Sequence, residues 1–503
     1  MSPQSRYLQA LEKHLGSQIY ELPHPDPTRE SIRFDIHQQE QTRNVLKDLI
    51  RQQREAVSII ASCGSGKTLT ELNLIAASQS AKKELNINGN RKDLLISLGR
   101  ATVQGVYSEF RNAGIDAGIW SGGRREFEAP VIVAGIEALQ VARRRRELHK
   151  VLPKGMIDLC IVDEADCFLT QARKHLIDDL NPRLKVGFTA TDQWPDGRTV
   201  YDYFGQPAHQ LRLREGILRG INAVPDVLFY ESEIEAGKIK MKDGDFDEKH
   251  LATALKHAEI HKAIGEVYGQ LLETKEEREK CPTLIYVPSV ALVNAVVETL
   301  SEKFGNEIAI VGWTGKDVTT SQLGDGMQSF KEGEIQVAVL CEMGGRGMNL
   351  ENAKLMIDAY PTMSLNKLEQ RHGRVLRKIR KGSKLYKMGW RKSSAVIAQI
   401  VPKSLQYRPA LFTDIIGGYQ QLQEIRAHAE KEDGENGPAE QDIVDVLRRR
   451  IEKKDPPHTV RLIREINALE EIKRYDQLPQ ADASGFFRIP RRYGKPPPTA
   501  EQK

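Results

Sequence analysis

Valine, isoleucine and leucine gather in this chain into short runs in which nearly every position is apolar, and between the runs apolar residues recur at spacings of three and four. A run that is apolar throughout reads as a strand buried on both faces. Strands of that kind separated by helical patterns predict parallel sheets with crossover helices. Five runs make a first block: VSIIAS (57–62), DLLISL (93–98), APVIVAG (129–135), IDLCIVDE (157–164) and KVGFTA (185–190). Five more make a second: TLIYVP (283–288), IAIVGW (308–313), VAVLCE (337–342), KLMIDAY (354–360) and AVIAQIV (395–401). The expected fold class is α/β, with two tandem domains on parallel sheets.

The stretches outside the runs set the expected boundaries. Residues 1–30 read as an N-terminal segment, 31–214 as the first domain and 279–404 as the second. Between the domains, 215–278 is richer in charge and ends in a helical pattern, LATALKHAEIHKAIGEVYGQLLETKEEREK, which predicts a connector. Past residue 405 the acidic, Gly- and Pro-broken KEDGENGPAE (431–440) reads as a linker. Leu462, Ile466, Leu469 and Ile472 then repeat at helical spacing. Residues 405–503 are therefore expected to form a small, mainly helical C-terminal extension with a disordered tail, GKPPPTAEQK.

Composition narrows the class. The 503 residues are 40% hydrophobic and 28% charged, the balance of a water-soluble protein of several domains. No apolar run approaches the ~18 residues of a membrane helix, and the opening MSPQSRYLQALEKHLG is polar, unlike a secretory signal. Five scattered cysteines without a CxxC pair suit reduced, buried thiols, and no histidine joins them at zinc-site spacing. Together these features predict a cytoplasmic protein. The net charge of +5, from 74 basic and 69 acidic residues, is too small to announce a nucleic-acid partner, so any electrostatic footprint is local.

Chemistry concentrates at the ends of the predicted strands. The first run leads into ASCGSGKTLTELNLI (61–75). Gly64, Ser65 and Gly66 there make a turn between strand and helix whose backbone N–H groups point at a phosphate. Lys67 reaches the β/γ-phosphates and Thr68 offers a hydroxyl to Mg²⁺. The full P-loop pattern starts with glycine, where this chain has Ala61. The fourth run ends in VDEAD (162–166). A carboxylate at the C-terminal end of a parallel strand stands where ligands bind in such sheets, so Asp163 is placed to hold Mg²⁺ through water and Glu164 to take the proton of an attacking water.

GSGKT, VDEAD, TAT (189–191) and QRHGRVLR (370–377), in that order and on these strand ends, resemble motifs I, II, III and VI of superfamily 2 DEAD/DEAH-type helicases over roughly residues 30–402. The string KVGFTATDQWPDGRTVYDYFGQPAHQLRLREGILRG is similar to the XPB-like branch. The resemblance implies two RecA-like domains, ATP and Mg²⁺ in the cleft between them, and a nucleic-acid partner, DNA before RNA. It also implies that Gln38, in DIHQQEQTRNVL (35–46), reads the adenine edge, and that Gly347, in CEMGGRGMNL (341–350), closely approaches nucleotide and strand. Thr189 and Thr191 would couple the ATP site to the strand, their hydroxyls bonding either to VDEAD carboxylates or to local backbone.

The chain departs from the family pattern at several positions. Asp192 stands where proline usually follows TAT, and Asn349 where aspartate is frequent. SLGRATVQ (97–104) replaces a Pro-Thr-rich motif, and AGIEAL (134–139) lacks a threonine. Arg100 then either meets a phosphate or is solvated. The run Arg143, Arg144, Arg145 and Arg146 either tracks a phosphate backbone or is a solvated face.

In QRHGRVLRK, Arg371, Arg374 and Arg377 share one helical stripe. Alone, such a stripe is a solvated basic face. Opposite a P-loop, Arg374 and Arg377 are expected to reach the γ-phosphate as arginine fingers, with Gln370 placing the water or phosphate. Arg371 is left to the nucleotide or to a carboxylate partner. The expected function is an ATP-hydrolysing nucleic-acid helicase or translocase. The competing reading is a nucleotide-gated clamp on nucleic acid or protein, and a protein partner through 405–503 stays open.

Overall fold

The structure, a computed structural model, describes residues 3–52, 54–87, 91–192, 197–232, 239–242, 244–313, 326, 328–341, 350–380, 384–402, 409–418, 421, 422, 424, 425, 427, 447 and 460–463. Each of the ten apolar runs contains a strand. The first eight-stranded sheet comprises β1 (Ala56–Ala61), β2 (Lys92–Ser97), β3 (Ala117–Ser121), β4 (Arg124–Arg125), β5 (Val131–Gly135), β6 (Ile157–Asp163), β7 (Leu184–Thr189) and β8 (Pro207–Leu211). Their spatial order is β8-β1-β7-β6-β2-β5-β3-β4, parallel throughout except for the β3–β4 hairpin.

The all-apolar runs have the physical cause anticipated for them, because successive side chains enter cores on opposite faces. Leu95, Val133 and Ile161 join one core, while Leu94, Ile132 and Val162 join the other. The helices that cover these faces and carry the site residues are α1 (Pro3–Ser17), α2 (Ile36–Val45), α3 (Lys67–Glu84), α4 (Arg100–Asn112) and α5 (Ile136–Arg144).

Residues 1–30 are not a separate segment. Tyr7, Leu11 and Leu15 repeat every four residues, and this stripe lays α1 into the first core. The hydroxyls of Tyr7 and Ser78 on α3 lie 2.7 Å apart.

The second sheet comprises β9 (Val224–Ser232), β10 (Thr283–Tyr286), β11 (Ile310–Trp313), β12 (Val337–Leu340), β13 (Leu355–Asp358), β14 (Ser394–Pro402) and β15 (Val460–Ile463). The order is β11-β12-β10-β13-β14-β9-β15. Two sequence expectations change here. The stretch 215–278 is more than a connector, because it supplies β9, which pairs in parallel with all of β14, and its helical part buries Leu251, Ile260 and Tyr268 in the second core. Leu462, expected on a helix, lies in β15, where Val460–Ile463 pair antiparallel with β9 and cover part of its free edge. The rest of that expected helix, and the expected disordered tail, lie outside the described residues.

Helix α6 (Leu213–Leu218) follows the first sheet, and α7 (Leu365–Val375) carries QRHGRV. Ser364 caps α7 by accepting from the Lys367 N–H at 3.3 Å. Asp245, in a short hairpin of the 215–278 stretch, accepts from Thr362 Oγ1 at 2.7 Å and from the Met363 N–H at 2.8 Å, fixing the loop that enters the helix.

The strongest tie on α7 is buried. Asp358, the last residue of β13 and 1% exposed, accepts from Arg371 Nη1 at 3.1 Å and from His372 Nε2 at 2.8 Å. Arg371 also lies over the Tyr360 ring, its guanidinium carbon 4.6 Å from the centroid. Of the two sequence readings for Arg371, the structure adopts the carboxylate partner. Burial works against ionising Asp358, but Arg371 and His372 outweigh it and hold the carboxyl below the usual range. Removing one partner of a buried pair strands the other, so Asp358→Ala should cost about 3–5 kcal/mol, read as a lower denaturant midpoint. The folded pKa is depressed, so the stabilisation is complete above the unfolded value of about 3.9 and is lost as pH falls through the folded value. The gap between wild type and variant should therefore close in acid, and equal midpoints at neutral pH would refute the assignment.

Candidate nucleotide site between the two sheets

Parallel strands bring their C-terminal ends to one edge of a sheet, and in the first sheet that edge collects the sequence-predicted residues. Strand β1 ends at Ala61 and the chain turns through Gly64 (φ +86°) and Gly66 (φ +76°) before α3 begins at Lys67. These left-handed conformations favour glycine. Gly66 has a second reason to lack a side chain, since a Cβ there would stand 2.2 Å from Gln38 Nε2. The turn is held from within by Ser65 Oγ, which donates to the Ser62 carbonyl at 2.8 Å. From α2, His37 Nε2 donates to the Ser65 carbonyl at 2.7 Å. Gln38 is buried beside the turn, its Oε1 accepting from the Asp35 N–H at 2.9 Å.

Lys67 Nζ donates to the carbonyl of Ala61, the position where the sequence pattern departs from glycine, at 3.2 Å. Burial opposes its charge, yet Cys63, Glu164 and Asp163 more than offset this and raise its pKa above the ordinary lysine value. Asp163 closes β6, with Oδ2 accepting from Ser97 Oγ at 3.1 Å and Oδ1 from the Glu164 N–H at 2.9 Å. Glu164 itself is left-handed (φ +53°, ψ +51°), which turns its side chain out of the strand line. Its Oε2 is buried without a hydrogen-bond partner. Burial first, and Glu164 next, push Asp163 up to about 6.

A buried carboxylate beside a half-buried one, the latter with an orphaned oxygen, fits a divalent cation. Asp163 and Thr68 are the residues that would hold Mg²⁺, with phosphate and water completing its shell. A bound Mg²⁺ would neutralise phosphate charge there.

Thr189 and Thr191 realise both readings left open for them. Thr189 Oγ1 donates to Asp166 Oδ1 at 2.8 Å and accepts from the Thr191 N–H at 3.1 Å, while Thr191 Oγ1 donates to Asp166 Oδ2 at 3.3 Å. Asp192, in place of the usual proline, is gripped by Arg212 Nη2 at 2.6 Å and by the Tyr201 hydroxyl.

The second sheet brings α7 directly onto the P-loop turn. A Cβ on Gly373 would meet Cys63 Cβ at 2.6 Å, and one on Gly64 would meet Arg377 Cγ at 2.7 Å. Between them opens a narrow cleft lined by Cys63, Glu164, Cys167, Gln370, Arg374 and Arg377, together with Leu98 and Thr102. Arg374 is 7% exposed. Of the expected site residues, Glu164, Gln370, Arg374 and Arg377 share this cleft, and Lys67, Asp163 and the Gly64–Thr68 turn border it. Gly347 and Asn349 lie outside the described residues.

The basic candidates divide. Arg100 is exposed at the first turn of α4, immediately beyond the C-terminal end of β2. Arg143 instead pairs with Asp179, Nε to Oδ2 at 2.6 Å, and is not a free phosphate contact. Arg144, Arg145 and Arg146 are exposed at the far end of α5. Nine helical residues at 1.5 Å each put that end about 13 Å along the helix from the end of β5.

Sequence reasoning missed four residues here. Asp166 stood inside VDEAD, but nothing in the string assigns it to the two threonines. Cys63 gave no signal beyond its place in the turn. Asn222 is buried between the turn and the end of α7. Glu71 lies one helical turn after Lys67, wholly buried, with neither carboxylate oxygen hydrogen-bonded. Burial and then Asp163 raise its pKa well above the ordinary value.

Comparison with known proteins agrees with this geometry. Residues 31–193 match the family described as the res subunit of type III restriction enzymes, and residues 263–378 match the helicase conserved C-terminal domain. IRC3 of Saccharomyces cerevisiae, provisionally named an ATP-dependent helicase, is 25% identical over 346 residues, 65% of this chain and 47% of IRC3. Among solved structures, a fragment provisionally assigned as the HsdR subunit of a type I restriction enzyme from Vibrio vulnificus superposes with a TM-score of 0.52 at 21% identity, covering 72% of this chain and 63% of that one. Saccharomyces cerevisiae Dbp5 bound to RNA and ADP-BeF3 gives 0.50 at 15%, covering 84% and 94%. The chain spans about half the length of the curated relatives it matches. No helix among the described residues is long and apolar enough to cross a membrane. With a P-loop and VDEAD on one parallel sheet, QRHGR facing them from a second, a restriction-enzyme res-subunit family matched on the first and the helicase conserved C-terminal domain on the second, the sequence and structural matches together support a superfamily 2 helicase.

Proposed function

We propose that this protein is an ATP-hydrolysing motor that translocates along or unwinds nucleic acid. The observation that carries the reading is the cleft in which Glu164 and the P-loop turn on one sheet meet Gln370, Arg374 and Arg377 on the other. In this reading the backbone N–H groups of the turn and Lys67 hold the β- and γ-phosphates, and Gln38 meets the adenine edge. Asp163 and Thr68 hold Mg²⁺. Glu164 takes the proton of the attacking water, while Arg374 and Arg377 neutralise charge on the γ-phosphoryl from the opposite domain.

Thr189 and Thr191, bonded to Asp166, supply a physical route from the nucleotide carboxylates to the segment that follows β7. Nucleotide favours the closed cleft and its loss removes that bias, so cycles of hydrolysis move the two sheets relative to a bound strand.

DNA is the favoured substrate. The XPB-like string after β7 and the match of residues 31–193 to a restriction-enzyme family both support it. Arg100 is the phosphate contact best placed for a strand crossing the sheet edge. The competing reading, a nucleotide-gated clamp, retains nucleotide binding without turnover. All five cysteines are buried and none is in a disulfide, which favours a reducing, cytoplasmic setting.

ATP hydrolysis measured with single- and double-stranded DNA and RNA tests the motor and its substrate together. Stimulation is expected with DNA; none with any polymer would leave the clamp, and preferential stimulation by RNA would overturn the DNA assignment. Arginine fingers contribute about 10³–10⁵ in turnover, so Arg374→Ala should lose that much of the stimulated rate while nucleotide still binds. Near-normal turnover would return Arg374 to a packing role. Gly373→Ala tests the approach of the two domains, since the methyl lands on Cys63. Stimulated turnover should fall at least about tenfold with nucleotide affinity unchanged, whereas an unaffected rate would show that the working cleft does not close this far.

A further inference from the structure

One side chain at this seam belongs to none of the motifs. Asn222 sits between α6 and β9, where the chain passes from the first sheet to the second, and it is 0% exposed. Both polar atoms of its amide are hydrogen-bonded. Oδ1 accepts from Ser62 Oγ at 3.0 Å, and Nδ2 donates to the Cys63 carbonyl at 2.7 Å and to the Leu376 carbonyl at 3.4 Å.

The two carbonyls are not arbitrary. Cys63 precedes Gly64 in the phosphate turn, and Leu376 precedes Arg377 at the end of α7. The backbone reinforces the link, because Ala223 N–H donates to the same Leu376 carbonyl at 2.8 Å and Asn222 pairs antiparallel with Arg377. Space has been left for the amide on its other side. A Cβ on Gly216 of α6 would stand 2.3 Å from Asn222 Oδ1 and 2.9 Å from Ser62 Oγ.

We propose that Asn222 is a positioning residue for Arg377, its side-chain amide holding the P-loop turn and the end of α7 in register when the cleft closes. The chemistry selects asparagine. Two carbonyl oxygens need two N–H donors, and the Ser62 hydroxyl needs an acceptor, all within one short side chain. Aspartate would keep the acceptor and turn a buried carboxylate on two carbonyl oxygens. Leucine would fill the space and leave both carbonyls without this partner. Asn222 touches no substrate in this arrangement; it acts by fixing where Arg377 stands. The inference rests on the ATP-hydrolysing reading for its effect on rate, and on geometry alone for its effect on closure.

The test is a double-variant cycle on the full-length chain. Asn222→Ala should lower nucleic-acid-stimulated kcat about tenfold or more while KM for ATP stays within a few-fold. Asn222→Ala combined with Arg377→Ala should be no slower than Arg377→Ala alone, since both changes remove the same interaction. Gly216→Ala, which pushes a methyl onto the amide without altering it, should reproduce the kcat loss. Closure is read separately, as the decrease in radius of gyration that a non-hydrolysable ATP analogue and nucleic acid produce in small-angle X-ray scattering. Wild type should contract, and Asn222→Ala should contract less or require more analogue. Multiplying losses in the double variant, or turnover and contraction equal to wild type in Asn222→Ala, would overturn the role. A wild type that contracts without hydrolysing would instead overturn the motor reading and leave the role of Asn222 to be decided by contraction.

Discussion

The cleft depends on one constraint: the end of α7 lies against the P-loop turn at backbone distance. Gly373 faces Cys63 and Gly64 faces Arg377, each without room for a methyl group. Arginine side chains have a fixed reach, so the separation of the two backbones decides whether their guanidinium groups enter the cleft. The helix is held at that distance from behind. Asp358 ends β13 and grips Arg371 and His372 on the inward side of α7, which leaves Gln370, Arg374 and Arg377 to line the cleft. A helix rotated by one residue would exchange those roles.

A second set of bonds organises the carboxylates. Asp163 and Glu164 follow each other at a strand end, and a regular extended backbone would send their side chains to opposite faces. The left-handed Glu164 breaks that alternation. Such a conformation in a non-glycine residue costs on the order of 1–3 kcal/mol, and it persists where the surroundings over-determine it. Those surroundings are visible in the Ser97 bond to Asp163 and in the two threonines on Asp166, which anchor the chain on either side of the strained residue. Strain, orphaned oxygen and raised Asp163 pKa thus fall within two consecutive residues.

Much of the fold was legible because parallel strands buried on both faces need no alternation, and the ten runs stand out from their flanks. The strands that escaped notice include the short apolar AGIWS of β3 and two half-polar ones. PAHQL in β8 and VPDVLFYES in β9 carry polar residues at interior positions, and β9 earns its place only through pairing with β14, some 170 residues on, a relation no local pattern encodes. Leu462 shows the opposite failure, since a few apolar residues fit a helix or an edge strand equally well until a partner edge is known. The site followed the same division. GSGKT, VDEAD and QRHGR announce themselves by chemistry at fixed spacing. Asn222, Asp358 and the pairing of Arg143 with Asp179 exist only through distance in space, and an isolated asparagine in GINAVP carries no mark of what it will touch.

The pairing of β15 with β9 has a practical side. Residues 403–459 separate β14 from β15, so a chain shortened anywhere within that stretch loses β15. Ending it there would remove Val460–Ile463 and uncover the backbone of Phe229–Ser232 along the sheet's open side. Exposed strand edges invite pairing with other copies, so solubility, rather than catalysis, would be the first property to suffer.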